Sequence, residues 1–278
     1  MSRHRFTQLD VFSAEPLLGN PLAVVHDADA LTDARMAAFA RWTQLSETTF
    51  LVPPTDPAAD YRVRIFTPQR ELPFAGHPTL GTCRAWLEAG GVPRAADQIV
   101  QQCEAGLIRV RREAGRLAFA APPRLRSGPL EDELVLRIVA ALGIERGAVV
   151  DHAWVDNGPG WCALRLASAA AVLAVEPDWR ALQGIKLGLV GAHPAGAEAQ
   201  FELRALIGEG SGYEDPVTGS LNASVAQWLF GHGDAPPAYV ASQGTRLGRR
   251  GRVYLRQQGA DVWVGGDSVL CVRGEVNF

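Results

Sequence analysis

Two stretches of this chain read as helices with almost no charge on any face, and few folds accommodate such a helix. One is AGHPTLGTCRAWL (75–87), where Arg84 is the only charged residue before Glu88; the other is TGSLNASVAQWL (218–229), with no charge from Leu221 to Phe230. A helix that is apolar or small all round has to be covered on every side. In a chain of 278 residues with 47% hydrophobic composition, the simplest cover is a sheet curled about each helix. Aligned with one gap, the two stretches match Gly76 to Gly219, His77 to Ser220, and Trp86-Leu87 to Trp228-Leu229. The chain therefore reads as two similar halves.

The rest of the sequence is rich in strands. Runs of β-branched and aromatic residues bounded by turn residues occur at HRFTQLDVF, PLAVVH, TTFLVP, YRVRIF, QIVQQCE, LIRVRRE and RLAFAAP. The Pro-rich break APPRLRSGP (121–129) follows, and the pattern restarts with a helix at about 131–142 and the strands AVVDHAWV, WCALRLA, IKLGLVGAH and AQFELRAL. After the second uncharged helix, at about 221–230, come AYVASQG, RVYLRQ, DVWVGG and VLCVRGEV. This is an α+β order and not the regular strand-helix alternation of a doubly wound sheet. The expected lobes are residues 1–122, completed by a C-terminal strand at 263–278, and residues 123–262.

Several function classes fall away on composition. The net charge is -3 and the arginines are scattered apart from RLGRRGR at 246–252, which is not the footprint of a nucleic-acid binder. No apolar run suits a signal peptide or approaches the length of a membrane span, so a cytoplasmic location is expected. Cys83, Cys103, Cys162 and Cys271 form no CxxC pair, and the six histidines show neither HxH nor HExxH spacing. No metal is expected. The glycine-rich GEGSGYEDPVTGS lacks a P-loop lysine and has Tyr213 where a dinucleotide fingerprint needs its third glycine, so no nucleotide cofactor is expected. Ser220, His77 and Asp215 lack the GxSxG elbow that would point to a hydrolase.

The helix starts are a positive feature. Gly76-His77-Pro78 and Gly219-Ser220 open the two uncharged helices, with His77 or Ser220 placed to cap and Pro78 suited to the first helical position. Unpaired backbone N–H groups and the helix dipole make each start a place for an anion. Facing one another, two such starts would grip a small carboxylate.

DVFSAEPLLGNPLAVV, LSETTFLV, RIFTPQRELPFAGHPTLG, EDPVTGS, SQGTRLGR and VWVGGDSVLCVRGEV occur in this order from about residue 8 to 276. Together they resemble the phenazine-biosynthesis PhzF family, and ELPFAGHPTLG with EDPVTGS is a specific combination. The resemblance implies a diaminopimelate epimerase-like fold of two similar lobes, each a curled sheet around a central buried helix, with the active site between them. It also implies a cofactor-independent isomerase and a homodimer.

By the same resemblance Glu47 is the catalytic acid/base, His77 contacts the substrate or steers Glu47, and Asp215 orients a polar substituent. Gly76, Gly219 and Ser220 bind the substrate. Read as part of an extended strand, Glu47 shares a face with Leu45 and Leu51, and an inward carboxyl would be desolvated and suited to taking and returning a proton. Thiol racemases of this fold carry two cysteines at the helix starts; here His77 and the segment Asp215 to Ser220 stand there, and Cys83 lies about two turns inside its helix. Departures from the family pattern occur at Gln44, Ala205, Leu206, Leu221 and Asn222, all read as pocket wall. The substrate class is a small cyclic or unsaturated amino or hydroxy acid. The alternative is a non-catalytic member that binds a small acid or a protein partner.

Overall fold

The structure, a computed structural model, describes residues 2–278, which divide into two compact units. The first ends at Ala120 and is completed by Gly265–Phe278; the second is Ala121–Val264.

The first unit contains β1 (Arg3–Val11), β2 (Asn20–Val25), α1 (Asp33–Thr43), β3 (Thr48–Val52), β4 (Tyr61–Phe66), β5 (Glu71–Leu72), α2 (Gly76–Glu88), β6 (Gln98–Cys103), β7 (Gly106–Glu113) and β8 (Arg116–Ala120). The C-terminal strand Ser268–Asn277, numbered β18 in chain order, returns to pair with β1. Strand order is β18-β1-β2-β3-β4-β6-β7-β8, with β5 hairpinned onto β4. Strands β18 and β1 lie at one end of this order and β8 at the other, yet all three touch α2. The sheet is thus wrapped around the helix. Gly81 allows the close approach, since a Cβ there would meet Leu22 at 2.6 Å and Val11 at 2.8 Å. Burial is continuous from Gly76 to Cys83, whereas the last turn of α2 is partly exposed, with Trp86 stacked on Tyr61.

The second unit contains β9 (Arg126–Gly128), α3 (Asp132–Leu142), β10 (Val149–Asp156), β11 (Trp161–Leu166), α4 (Ala169–Ala174), β12 (Lys186–Ala192), β13 (Phe201–Ile207), β14 (Tyr213–Asp215), α5 (Gly219–His232), β15 (Ala238–Gln243) and β16 (Gly251–Gln258). Strand β17 (Asp261–Gly266) spans the change from one unit to the other. The order is β9-β10-β11-β12-β13-β15-β16, with β14 on β13, and α5 is touched by β10 and β16 from towards opposite ends. Here the close approach is made by a strand glycine, because Leu221 fills the space where a Cβ on Gly188 would lie. Helix α3 is amphipathic, burying Val135, Ile138, Val139 and Leu142, and stops at Gly143 in the left-handed region.

The duplication extends well beyond the two helices. The order β1-β2-α1-β3-β4-β5-α2-β6-β7 recurs as β10-β11-α4-β12-β13-β14-α5-β15-β16 with the same pairing senses, including parallel pairs across α1 and α4 and across α2 and α5. Arg64 on β4 makes a two-pronged bond to Glu71 on β5, Nε to Oε1 at 2.8 Å and Nη2 to Oε2 at 2.6 Å. Arg204 on β13 repeats it with Glu214 on β14, at 3.1 and 2.8 Å, and its Nη1 also donates to the carbonyls of Val172 and Val175 at the end of α4.

Helix α1, not foreseen above, is capped by Thr32, whose side chain accepts from the Arg35 amide. Its buried stripe is only Met36 and Ala40, too thin to stand out against charged neighbours. Leu206 and Leu221, read above as pocket wall, are fully buried core residues. Gln44 ends α1 with φ 56°, a left-handed position that asparagine accepts more readily than glutamine.

Candidate active site

The first unit brings Glu47, Gly76 and His77 together. Glu47 precedes β3 and lies in the connection from α1, so it is not the strand residue expected above; its side chain is 16% exposed. Thr82 on α2 donates to Thr49 on β3 at 2.8 Å, and Thr49 donates to the Ala23 carbonyl, which fixes the helix against the strand that follows Glu47. The result sets Glu47 Oε2 3.4 Å from His77 Nε2, beyond good hydrogen-bond length. Burial pushes the His77 imidazole down to about 3, so the ring is neutral at ordinary pH. Its Nε2 is buried with no hydrogen-bond partner among the described residues.

The caps differ from expectation. Ala75 is the N-cap of α2 and Thr218 that of α5, neither with a side-chain cap bond, and Pro78 is the third helical residue, not the first. His77 and Ser220 are each the second residue of their helix. No acceptor within the described residues takes the amides of Gly76, His77, Gly219 or Ser220, as helix geometry dictates for first-turn N–H groups.

The second unit holds Asp215, Gly219 and Ser220. Asp215 ends β14 opposite Ala205, at the position where the first unit has Leu72 opposite Ile65. Thr218 Oγ1 donates to Asp215 Oδ2 at 2.5 Å. Gln243, fully buried at the end of β15, accepts from the Thr218 amide at 3.0 Å and from Asn222 Nδ2 at 2.7 Å, and donates to the Asp215 carbonyl and to Thr218 Oγ1. Asn222 therefore belongs to the scaffold of the helix start. Ser220 Oγ accepts from Trp161 Nε1 at 3.0 Å. An indole nitrogen only donates, so the serine proton is left to be given away.

Gln243, Thr218 and Trp161 were not singled out from the sequence. SQG and EDPVTGS contain the first two, but no spacing rule links residues 218 and 243; the parallel pairing of β13 with β15 does. Burial pushes the Cys83 and Cys162 thiols up to about 12, which makes them poor nucleophiles. One metal-type grouping occurs among the described residues, Asp151, His232 and Asp234; Asp234 is paired with Arg165 at 2.5 Å, and none of the candidate site residues belongs to the group.

Residues 9–274 fit the sequence profile of the phenazine biosynthesis-like protein family. The chain belongs to this family. Its PhzF-type relatives include trans-2,3-dihydro-3-hydroxyanthranilate isomerase of Pseudomonas aeruginosa, 34% identical over 92% of this chain and 91% of the relative. Antisense-enhancing sequence 1 of Schizosaccharomyces pombe is 33% identical over 99% of both. The crystal structure of a PhzF-family protein from Enterococcus faecalis superimposes with TM-score 0.83 over 100% of both chains at 24% identity, a likeness of fold. The fold is accordingly diaminopimelate epimerase-like, and the family is one of isomerases. Among the described residues no helix is long and apolar enough to cross a membrane.

Proposed function

We propose that this chain is a PhzF-type isomerase that moves a proton within a small cyclic or unsaturated amino or hydroxy acid, with Glu47 as the proton carrier. The observation that carries the reading is the Glu47–His77 pair at 3.4 Å with His77 held neutral by burial. Glu47 as carboxylate removes a proton from one carbon, the electron pair shifts through the adjacent unsaturation, and the same group returns the proton at another carbon. The neutral ring of His77 donates or accepts a hydrogen bond without placing a positive charge beside Glu47. The free amides at each helix start, Gly76 in one unit and Gly219 in the other, suit a carboxylate; in the second unit Ser220 has a proton to donate and Asp215 can accept from an amino or hydroxyl substituent.

The chemistry requires no redox cofactor, because no electrons are gained or lost. We take the protein to be cytoplasmic and without membrane partners, a homodimer as the family resemblance implies, and without nucleic-acid partners, in line with the net charge of -3. The test is incubation in D₂O with trans-2,3-dihydro-3-hydroxyanthranilate and a panel of small unsaturated amino and hydroxy acids. Deuterium at carbon, or a shifted double bond, is the expected result for at least one of them. A ligand that binds but neither exchanges nor converts favours the second reading, a non-catalytic binder of small acids.

A further inference from the structure

Away from the start of α5, its last turns face a cleft of about 360 Å³ within the second unit, of a size suited to a small organic ligand. Its lining includes Arg124, Ser127, Gln227, Phe230 and Val262. Gln227 lies eight residues beyond Gly219, about 12 Å along the helix at 1.5 Å per residue, so the cleft is separate from the first turn of α5.

Two polar groups here lack partners. Arg124, in the Pro-rich break between the two halves, is half-buried and makes no ion pair or hydrogen bond among the described residues. Burial without a compensating anion lowers its guanidinium from the usual range. Gln227 has its Oε1 buried and unpartnered. Its orientation is not arbitrary: Nε2 faces the Pro122 carbonyl at 3.0 Å, and a carbonyl can only accept, so the free atom has to be the oxygen. Buried polar groups in folded proteins are almost always paired, and Gln227 Oε1 is not. Arg124, lining the same cleft, offers a fork that matches a carboxylate, and Gln227 Oε1 needs a donor.

We propose that this cleft is a second ligand site, for a small zwitterionic amino acid whose carboxylate pairs with Arg124 and whose ammonium donates to Gln227 Oε1. Phe230 and Val262 give the side chain an apolar wall. The negative end of the α5 dipole lies on this side, which favours the ammonium and disfavours a compact dianion such as phosphate. The site goes beyond the proposed proton transfer and uses none of its residues.

The experiment follows the Arg124 Nε–H signal in the full chain labelled with ¹⁵N-arginine, assigned by its loss in Arg124→Gln. Titration with L-leucine is expected to shift it saturably. 4-Methylpentanoate, which is leucine without the ammonium, should bind about tenfold more weakly, as the loss of one charge-assisted hydrogen bond implies. Gln227→Met should bring leucine down to the level of 4-methylpentanoate, while Glu47→Gln leaves the titration unchanged even if the isomerase reading fails. The proposal is overturned by an Arg124 signal that does not respond to leucine, by phosphate binding as tightly as leucine, or by Gln227→Met having no effect. It is equally overturned if the signal shifts with protein concentration alone, since a second copy of the chain would then cover the cleft.

Discussion

Gln243 Nε2 donates to the Thr218 hydroxyl at 3.0 Å, and this single bond decides where the hydroxyl proton goes. With one lone pair of Thr218 Oγ1 occupied by Gln243, the proton is directed to Asp215 Oδ2 at 2.5 Å. The chain from Gln243 through Thr218 to Asp215 fixes the carboxylate as an oriented acceptor beside the first turn of α5. Removing the hydroxyl while keeping the shape isolates this effect. Thr218→Val is expected to lower kcat about ten- to a hundredfold, the cost of one hydrogen bond to a charged group, and Thr218→Ser to restore it. A folding midpoint that drops while kcat per folded molecule stays constant would mean that Thr218 serves stability only.

Glu47→Gln preserves size and removes proton transfer. Turnover, or carbon-bound exchange in D₂O, is expected to fall by roughly 10²–10⁴, with ligand affinity mostly kept. Replacing Cys83, Cys103, Cys162 and Cys271 together by alanine is expected to leave the reaction running, because the buried thiols at Cys83 and Cys162 are held up at about 12. The opposite pattern would transfer the chemistry to a thiol.

The duplicated arginine-glutamate pairs give a stability comparison. Arg204 and Glu214 are 3% and 5% exposed at the side chain, against 21% and 30% for Arg64 and Glu71. Arg204→Ala strands a buried carboxylate and the α4 carbonyls, a loss of about 3–5 kcal/mol in urea unfolding. Arg64→Ala leaves a wetter carboxylate and is expected to cost about 1 kcal/mol. Equal losses would show that burial does not distinguish the two copies.

Two buried histidines should make stability fall with acid. Burial holds His77 at about 3, and burial followed by repulsion from Arg5 holds His26 at about 4, both below the ordinary 6.5. Between those limits the unfolded chain binds protons that the folded chain does not, so the contribution is complete above pH 6.5 and is lost as pH drops towards 4 and 3. Each histidine contributes a slope of about 1.4 kcal/mol per pH unit well inside that window. Urea unfolding at a series of pH values checks it, and His77→Gln should remove about one histidine's share. The same neutrality predicts no inflection near pH 6.5 in the rate from His77.

Dimerisation is checked by sedimentation at micromolar concentration. The expected mass is twice 29.8 kDa. A mass of one chain would remove the homodimer from the proposal.

The two buried helices are legible in the residue pattern, because small and apolar residues on every face leave a helix no solvent side, and the matched starts at Gly76 and Gly219 reveal the duplication. Ordered motifs also name Glu47, His77, Asp215 and Ser220 as candidates. Their surroundings come from contacts between segments far apart in the chain. Glu47 faces His77 because Thr82 and Thr49 lock α2 to β3, thirty-three residues apart in the chain. Asp215 is oriented by Gln243 because β13 and β15 run side by side across α5. Helix α1 stayed hidden for a related reason: its buried stripe is two residues, and the sheet it packs on supplies the stability that its own pattern does not advertise. Periodicity and helix-start chemistry are local and can be read from neighbours in sequence, whereas a hydrogen bond between distant strands exists only once the chain has closed around its helices.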